Sequence, residues 1–226
     1  MRMIARGERL NYNGEMYQLP LPGGEGKALI SDAQPQPNLP IYLATLGPKN
    51  LELTGELANG WVGTSFVPEH ARIFFDSIEA GARKAGRSLA DIDLSVHAGA
   101  VAFADDLERL VATLKVPLAF QIGAMGSKKH NFYNEVFQRA GYVELAVQVQ
   151  DLWLSGQRKA AIELIPDELV YKTNLIGNKE TVRERLRVYK QAGVNTVSVF
   201  PTGQTLADRL TTLGQFMDLI NEVNVE

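Results

Sequence analysis

The chain has 226 residues, 45% of them hydrophobic, a net charge of −3 at neutral pH and no cysteine. This is room for a large domain with a real core, and it excludes disulfides, thiolate chemistry and cysteine-ligated metal. The basic stripe of a nucleic-acid groove is missing, no apolar run approaches the roughly 20 residues of a membrane span, and MRMIARGERLNYNG has no secretory apolar stretch. No nucleic acid, no membrane and a cytoplasmic location are the expectations.

Residues 1–10 read as the tail of a helix broken at Gly7, and 11–40 as irregular, with a short hairpin of Tyr12 and residues 16–19 around Asn13-Gly14. Residues 41–45 form a short apolar strand. Pro48 suits a first helical turn, Leu53 and Leu57 share one helix face, and Asn59-Gly60 stops that helix. Residues 61–64 are a second strand. Pro68 opens a helix with Phe74, Ile78, Ala82 and Ala85 as its buried stripe, ended by Gly86. Residues 92–103 read as a longer strand, with Ile92, Leu94, Val96 and Ala98 on one face and Asp93, Ser95, His97 and Gly99 on the other.

Residues 105–170 read as helical throughout: a helix from Asp105 to about Lys115, then 131–139, 143–154, 157–164 and a short turn at 166–169. The block is long for a crossover and has the character of a helical insertion. A helix over 179–191 points Val182, Leu186 and Tyr189 inward, a strand follows over 194–200, and the last helix carries Leu206, Leu210, Leu213, Met217 and Ile220 on one face. Apolar strands alternating with amphipathic helices mark a parallel sheet covered by helices. Four such units can be counted, against eight in a closed barrel. An open doubly wound sheet stays possible, weakened by the lack of a G-x-G-x-x-G turn.

Five stretches carry a family resemblance: GERLNYNGEMYQLP, PIYLATLGPKNLELTGELANGW, FQIGAMGSKKHNFYNEVFQRAGY, VQDLWLSGQRKAAIELIPDELV and LIGNKETVRERLRVYKQAGVNTVSVFPTG. Together they resemble the luciferase-like TIM-barrel oxidoreductases, in the F420-dependent branch related to methylenetetrahydromethanopterin reductase. The resemblance implies the C-terminal half only of that barrel, running through residues 1–226 as one domain, with 105–170 as the insertion after the seventh strand. It implies a partial (β/α)8 TIM barrel of about four βα units. It also implies coenzyme F420 as cofactor, with hydride transfer to a small organic substrate. An FMN-dependent monooxygenase is the near alternative, and a non-catalytic half-barrel that self-associates is the other. Open edges and an inner face expected to be an apolar patch favour a homodimer that closes one barrel-like sheet.

Candidate site residues follow from strand ends. Gly47, Lys49 and Asn50 lie just past a strand and open a helix, where free N–H groups and the helix end favour an anion. The resemblance implies a cofactor phosphate there. Thr45 and Leu46 end the same strand, and Thr64 and Ser65 the next, where barrels place ligands. Their competing role is helix capping. His97 faces either the lumen or a structural partner. His70 reads as surface. His130, beside Lys128, Lys129 and Asn131, reads as a solvated loop or an anion contact. Gly177 and Asn178 read as a helix cap, and Pro201, Thr202 and Gly203 as an upper-face loop. Trp61 and Trp153 read as packing residues. The three histidines have no ligand-like spacing, so no metal is expected. No G-x-S-x-G elbow or paired carboxylate supports a hydrolase.

Overall fold

The structure, a computed structural model, describes residues 1–127 and 129–225. It divides into two compact units, Met1–Ile41 and Tyr42–Glu226. The first unit holds a one-turn helix α1 (Arg2–Ala5) and an antiparallel ribbon of β1 (Tyr12–Asn13) and β2 (Gln18–Leu19), with Tyr12 opposite Leu19. The hairpin expected around Asn13-Gly14 is present, closed by a Gly14 N–H to Tyr17 C=O bond of 2.9 Å. None of this unit's residues is buried.

The second unit is built on a parallel sheet of β3 (Tyr42–Leu43), β4 (Gly60–Gly63), β5 (Asp93–Phe103), β6 (Leu175–Gly177) and β7 (Thr196–Pro201). The order β3-β4-β5 places β4 beside the first half of β5, and β7 pairs along β5. Val101 of β5 pairs with both Leu175 and Pro201, so β6 continues on the β4 side of β5. Among the described residues this parallel sheet has five strands rather than four and is incomplete and open. The three residues of β6 are too few to show a period.

The helices of this unit are α2 (Pro48–Leu57), α3 (Arg72–Lys84), α4 (Glu108–Ala124), α5 (Phe132–Arg139), α6 (Val143–Leu154), α7 (Arg158–Glu163), α8 (Asp167–Thr173), α9 (Lys179–Gln191) and α10 (Leu206–Asn224). Two hydrophobic cores result. One gathers Leu51, Trp61, Phe74 and Ile78 with β5, α9 and α10. The other gathers Val111, Ile122, Phe137, Val149 and Ile165 within the helical block α4–α8.

Several faces differ from expectation. Leu53 and Leu57 are 43% and 53% exposed, because α2 turns Leu51, Thr54 and Gly55 inward. The reason is a backbone-to-backbone crossing: a Cβ on Gly55 would stand 1.9 Å from the Ile78 carbonyl oxygen, and one on Gly81 1.8 Å from that of Glu52. Glycine lets α2 and α3 touch there, and that contact chooses the face. Ala85 is exposed past the end of α3. Helix α4 does not stop near Lys115 but continues through Pro117, because burying Leu118, Ala119 and Ile122 in the second core outweighs the lost hydrogen bond. Helix α10 buries Phe216, Leu219 and Val223 and leaves Leu206, Leu210 and Met217 exposed.

The open face of the sheet is not the apolar patch expected of it. Asp93, Ser95 and His97 alternate with the buried Leu94, Val96 and Ala98, and Thr196, Ser198 and Phe200 alternate along β7. Asp93 accepts from the Tyr42 hydroxyl at 2.7 Å and from Thr196 Oγ1 at 3.3 Å. Hydrogen-bonded polar pairs therefore cover much of that face. No helix among the described residues is long and apolar enough to cross a membrane.

Candidate functional site

At the C-terminal ends of β4 and β7 and the midpoint of β5, the sheet and α4 enclose a cavity of about 210 Å³. Thr64 and Ser65 leave β4 into it, His97 and Gly99 form its floor on β5, Phe200 comes from β7, and Leu114, Pro117, Leu118 and Gln121 roof it from α4. Thr173 and Asn174, between α8 and β6, close one side. Ser65 is held at φ 53°, in the left-handed region that a non-glycine residue seldom adopts. Its Oγ donates to Gln121 Oε1 at 3.3 Å, tying the end of β4 to α4.

His97 is the one side chain lining the cavity that titrates near neutral pH. Its Nδ1 lies 3.2 Å from Ser198 Oγ, and Phe200 meets its ring edge-on at 4.8 Å. Burial pushes its pKa below the usual imidazole value, and the contact with Ser198 works in the opposite direction. The imidazole is therefore held toward its neutral form, with Nδ1 engaged by Ser198.

Thr64, Ser65 and His97 thus line the same cavity. Thr45, Leu46, Gly47, Lys49 and Asn50 do not line that cavity. The Thr45 hydroxyl is shared with Thr54 at 2.8 Å, and its carbonyl accepts from Trp61 Nε1 at 2.9 Å. The Leu46 carbonyl accepts from Arg139 at 2.7 Å. Gly47 is the extended N-cap of α2, without a side-chain cap, and Lys49 and Asn50 are exposed on the first turn.

The other candidates fall outside the cavity. His70 is half-buried rather than simply surface, with its ring edge-on to Tyr142 at 5.8 Å. His130 is exposed and its N–H turns back to Ser127, while Lys128 lies outside the described residues. Asn178 caps α9, its Oδ1 accepting from the Thr181 N–H at 3.0 Å. Thr202 spends its N–H on Val101 and its carbonyl on Thr212, and Gly203 gives its carbonyl to Arg209. Trp61 is fully buried, and Trp153 packs edge-on with Phe120. Among the described residues no group of three potential metal ligands comes together.

Sequence reasoning missed Gln121, Asn174 and Phe200. One signal pointed their way: a lone glycine, Gly99, inside a strand pattern marks a bulge or a close approach.

The model of the family described as luciferase-like monooxygenase matches residues 1–196. That span corrects the expectation of a match to the C-terminal half only, since the family's domain runs through most of this chain. A protein of Mycobacterium tuberculosis, provisionally named a coenzyme F420-dependent oxidoreductase, is 34% identical over 86% of this chain and 58% of its own length. A 5,10-methylenetetrahydromethanopterin reductase of Methanopyrus kandleri is 28% identical over 79% of this chain and 49% of its own length. The chain spans about half the length of these curated relatives. The solved structure of the coenzyme F420-dependent tetrahydromethanopterin reductase from Methanopyrus kandleri superposes with a TM-score of 0.69 at 24% identity, covering 93% of this chain and 57% of that one. That likeness carries the fold, a partial barrel with added helices.

Proposed function

Because the chain belongs to the luciferase-like monooxygenase family, we propose that it serves a flavin- or deazaflavin-dependent oxidoreductase, with coenzyme F420 as the cofactor and a small organic molecule as substrate. The observation that carries this reading is the cavity at the strand ends, apolar on most sides and lined by one imidazole, the carboxamides of Gln121 and Asn174 and the hydroxyls of Thr64, Ser65 and Thr173. Its chemistry fits a flat heteroaromatic ring with carbonyl edges. Its volume, about 210 Å³, is below the roughly 300–1,000 Å³ of pockets that take a whole drug-sized ligand. It therefore suits a ring or a substrate, with the rest of the cofactor lying outside it.

In this reading Phe66, Leu118 and Phe200 exclude water from the ring, while Thr64, Ser65 and Gln121 orient it through hydrogen bonds. His97 holds or accepts a proton at Nε2, and Ser198 steadies Nδ1. The first turn of α2, with Gly47, Lys49 and Asn50 beside Thr45 and Leu46, offers N–H groups and a cation to an anionic chain. A bound deazaflavin supplies hydride chemistry that no side chain here can supply.

F420 is favoured by the M. tuberculosis relative's name. The description of the family model as a monooxygenase supports FMN as the second reading. The test is fluorescence titration of the purified chain with F420 and with FMN. Saturable binding of F420, weakened by His97→Gln, supports the first reading, and binding of FMN alone supports the second. Binding of neither leaves a non-catalytic, self-associating sheet. Self-association is proposed because, among the described residues, β3 pairs only with β4 and β7 only with β5, leaving edges that invite another strand. A second copy is the partner proposed for them. A monomeric mass by light scattering at micromolar concentration would sink that part.

A further inference from the structure

We propose that Asn174 is a positioning residue for the cavity: it latches a bulge at Gly99, and that bulge sets where His97 stands. The inference rests on reading the cavity as the cofactor and substrate site.

Strand β5 changes phase at Gly99. Before it, Leu94, Val96 and Ala98 enter the first core, while Asp93, Ser95 and His97 face the open side. After it, Val101 enters the first core, while Ala100 and Ala102 enter the second. A side chain can swap faces this way only if one residue is added to the strand. The pairing shows it: His97 sits opposite Ser198 and Ala100 opposite Phe200, so β5 advances by three residues while β7 advances by two. The bulge thus ends the polar face at His97 and presents alanines to the helical block.

The Asn174 carboxamide ties that irregularity to the end of α8, where its Nδ2 also donates to Thr173 Oγ1 at 3.2 Å. Its Oδ1 accepts the Ala100 N–H at 2.7 Å, and its Nδ2 donates to the Val170 carbonyl of α8 at 2.9 Å. Asn174 is buried. Gly99 has φ +70°, and a Cβ there would lie 2.3 Å from Asn174 Oδ1, so the close approach itself requires glycine. His97 belongs to the last regular pair before the break. If the latch opens, Ala100 loses its partner and the register that holds His97 Nδ1 against Ser198 is free to slip. The end of the helical block meets the floor of the cavity at this amide.

The test uses Asn174→Asp and Asn174→Ala with F420 and FMN as probes. A protonated carboxyl still accepts from Ala100 and has one O–H to give the Val170 carbonyl, losing only the longer bond to Thr173 Oγ1, whereas an ionised one still accepts from Ala100 but repels the Val170 carbonyl. Burial raises the pKa of such a carboxyl. Asn174→Asp should therefore bind like wild type at low pH and lose affinity as pH rises. Asn174→Ala should be weak throughout, by about tenfold, the scale of one buried hydrogen bond. The charged surroundings are the Glu168–Lys172 and Glu69–Arg185 pairs, Asp167 and Glu184 around the adjoining groove, and His97 across the cavity. Taking the ratio to wild type at each pH removes their common contribution. The His97 ring resonances should move in both variants. Val182→Ala, in the first core, should lower the unfolding midpoint and leave affinity and His97 unchanged.

Variants that bind as wild type at every pH, or that lose binding only as Val182→Ala does at equal stability, overturn the inference alone. Failure of wild type to bind either probe overturns the reading of the site and the inference with it. One measurement needs no variant: in wild type, probe binding should slow hydrogen exchange at the Ala100 amide. Unchanged exchange with the probe bound also overturns the latch.

Discussion

Replacing glycine by alanine inside a helix is ordinarily stabilising, by about 1 kcal/mol. Gly81 should break that rule. The added Cβ would stand 1.8 Å from the Glu52 carbonyl oxygen, whereas ordinary van der Waals contact is 3.4–4 Å. The obstacle is backbone of a neighbouring helix, so no rotamer relieves it, and α2 and α3 must separate by more than an ångström. Overpacking of this kind costs about 3 kcal/mol, and separation also forfeits dispersion contacts around Leu51, Ile78 and Ala82. Setting about 1 kcal/mol of propensity against about 3 leaves a net loss of about 2 kcal/mol or more. Gly55→Ala, 1.9 Å from the Ile78 carbonyl oxygen, should behave alike. Gly214 in α10 has nothing within 4 Å of the place a Cβ would occupy, so Gly214→Ala should raise stability by about 1 kcal/mol. Urea denaturation of the three variants decides the matter. A Gly81→Ala protein as stable as Gly214→Ala would refute the claim that backbone contact sets this crossing.

Three further outcomes follow from single side chains. Asn134 is buried and its Nδ2 donates to the carbonyls of Ile122 and Ala146 at 3.0 and 2.7 Å, so Asn134→Ala should cost about 2–4 kcal/mol by urea denaturation. Arg139 gives its guanidinium to the Leu46 and Ile73 carbonyls. Arg139→Met keeps the stem but strands both acceptors, and should cost about 2 kcal/mol and loosen the corner before α2, visible as faster hydrogen exchange there. The folded pKa of His97 lies below its unfolded value of about 6.5. Its contribution to stability is thus complete above that pH and is lost as pH falls through it toward the folded value. His97→Gln should flatten that part of the stability profile, and an unchanged profile would show that His97 is not the group responsible.

What could be read from the residues was whatever local chemistry decides. Pro48 and Asn59-Gly60 bracket α2, and α9 runs from Lys179 to Gln191 as its apolar spacing predicts. What escaped was decided by distant partners. Helix α4 crosses Pro117 because the second core, drawn from five helices, rewards the continuation. On α10 two apolar stripes compete, and packing against the sheet selects Phe216, Leu219 and Val223 over the expected one. The cavity was half legible: Thr64 and His97 were marked by strand position, but Gln121 and Asn174 come from segments far along the chain. Only Gly99, in the middle of a strand, hinted that something had to approach closely.

The two cores have one spectroscopic consequence. The chain holds two tryptophans. Trp61 is sealed in the first core among Phe66, Phe74 and Phe75. Trp153 packs against the second, beside Phe120 and under the Arg158 guanidinium. Each core therefore carries its own intrinsic fluorophore. Single-tryptophan versions of the chain would report, by emission wavelength alone, whether the sheet layer and the helical block melt together or in turn.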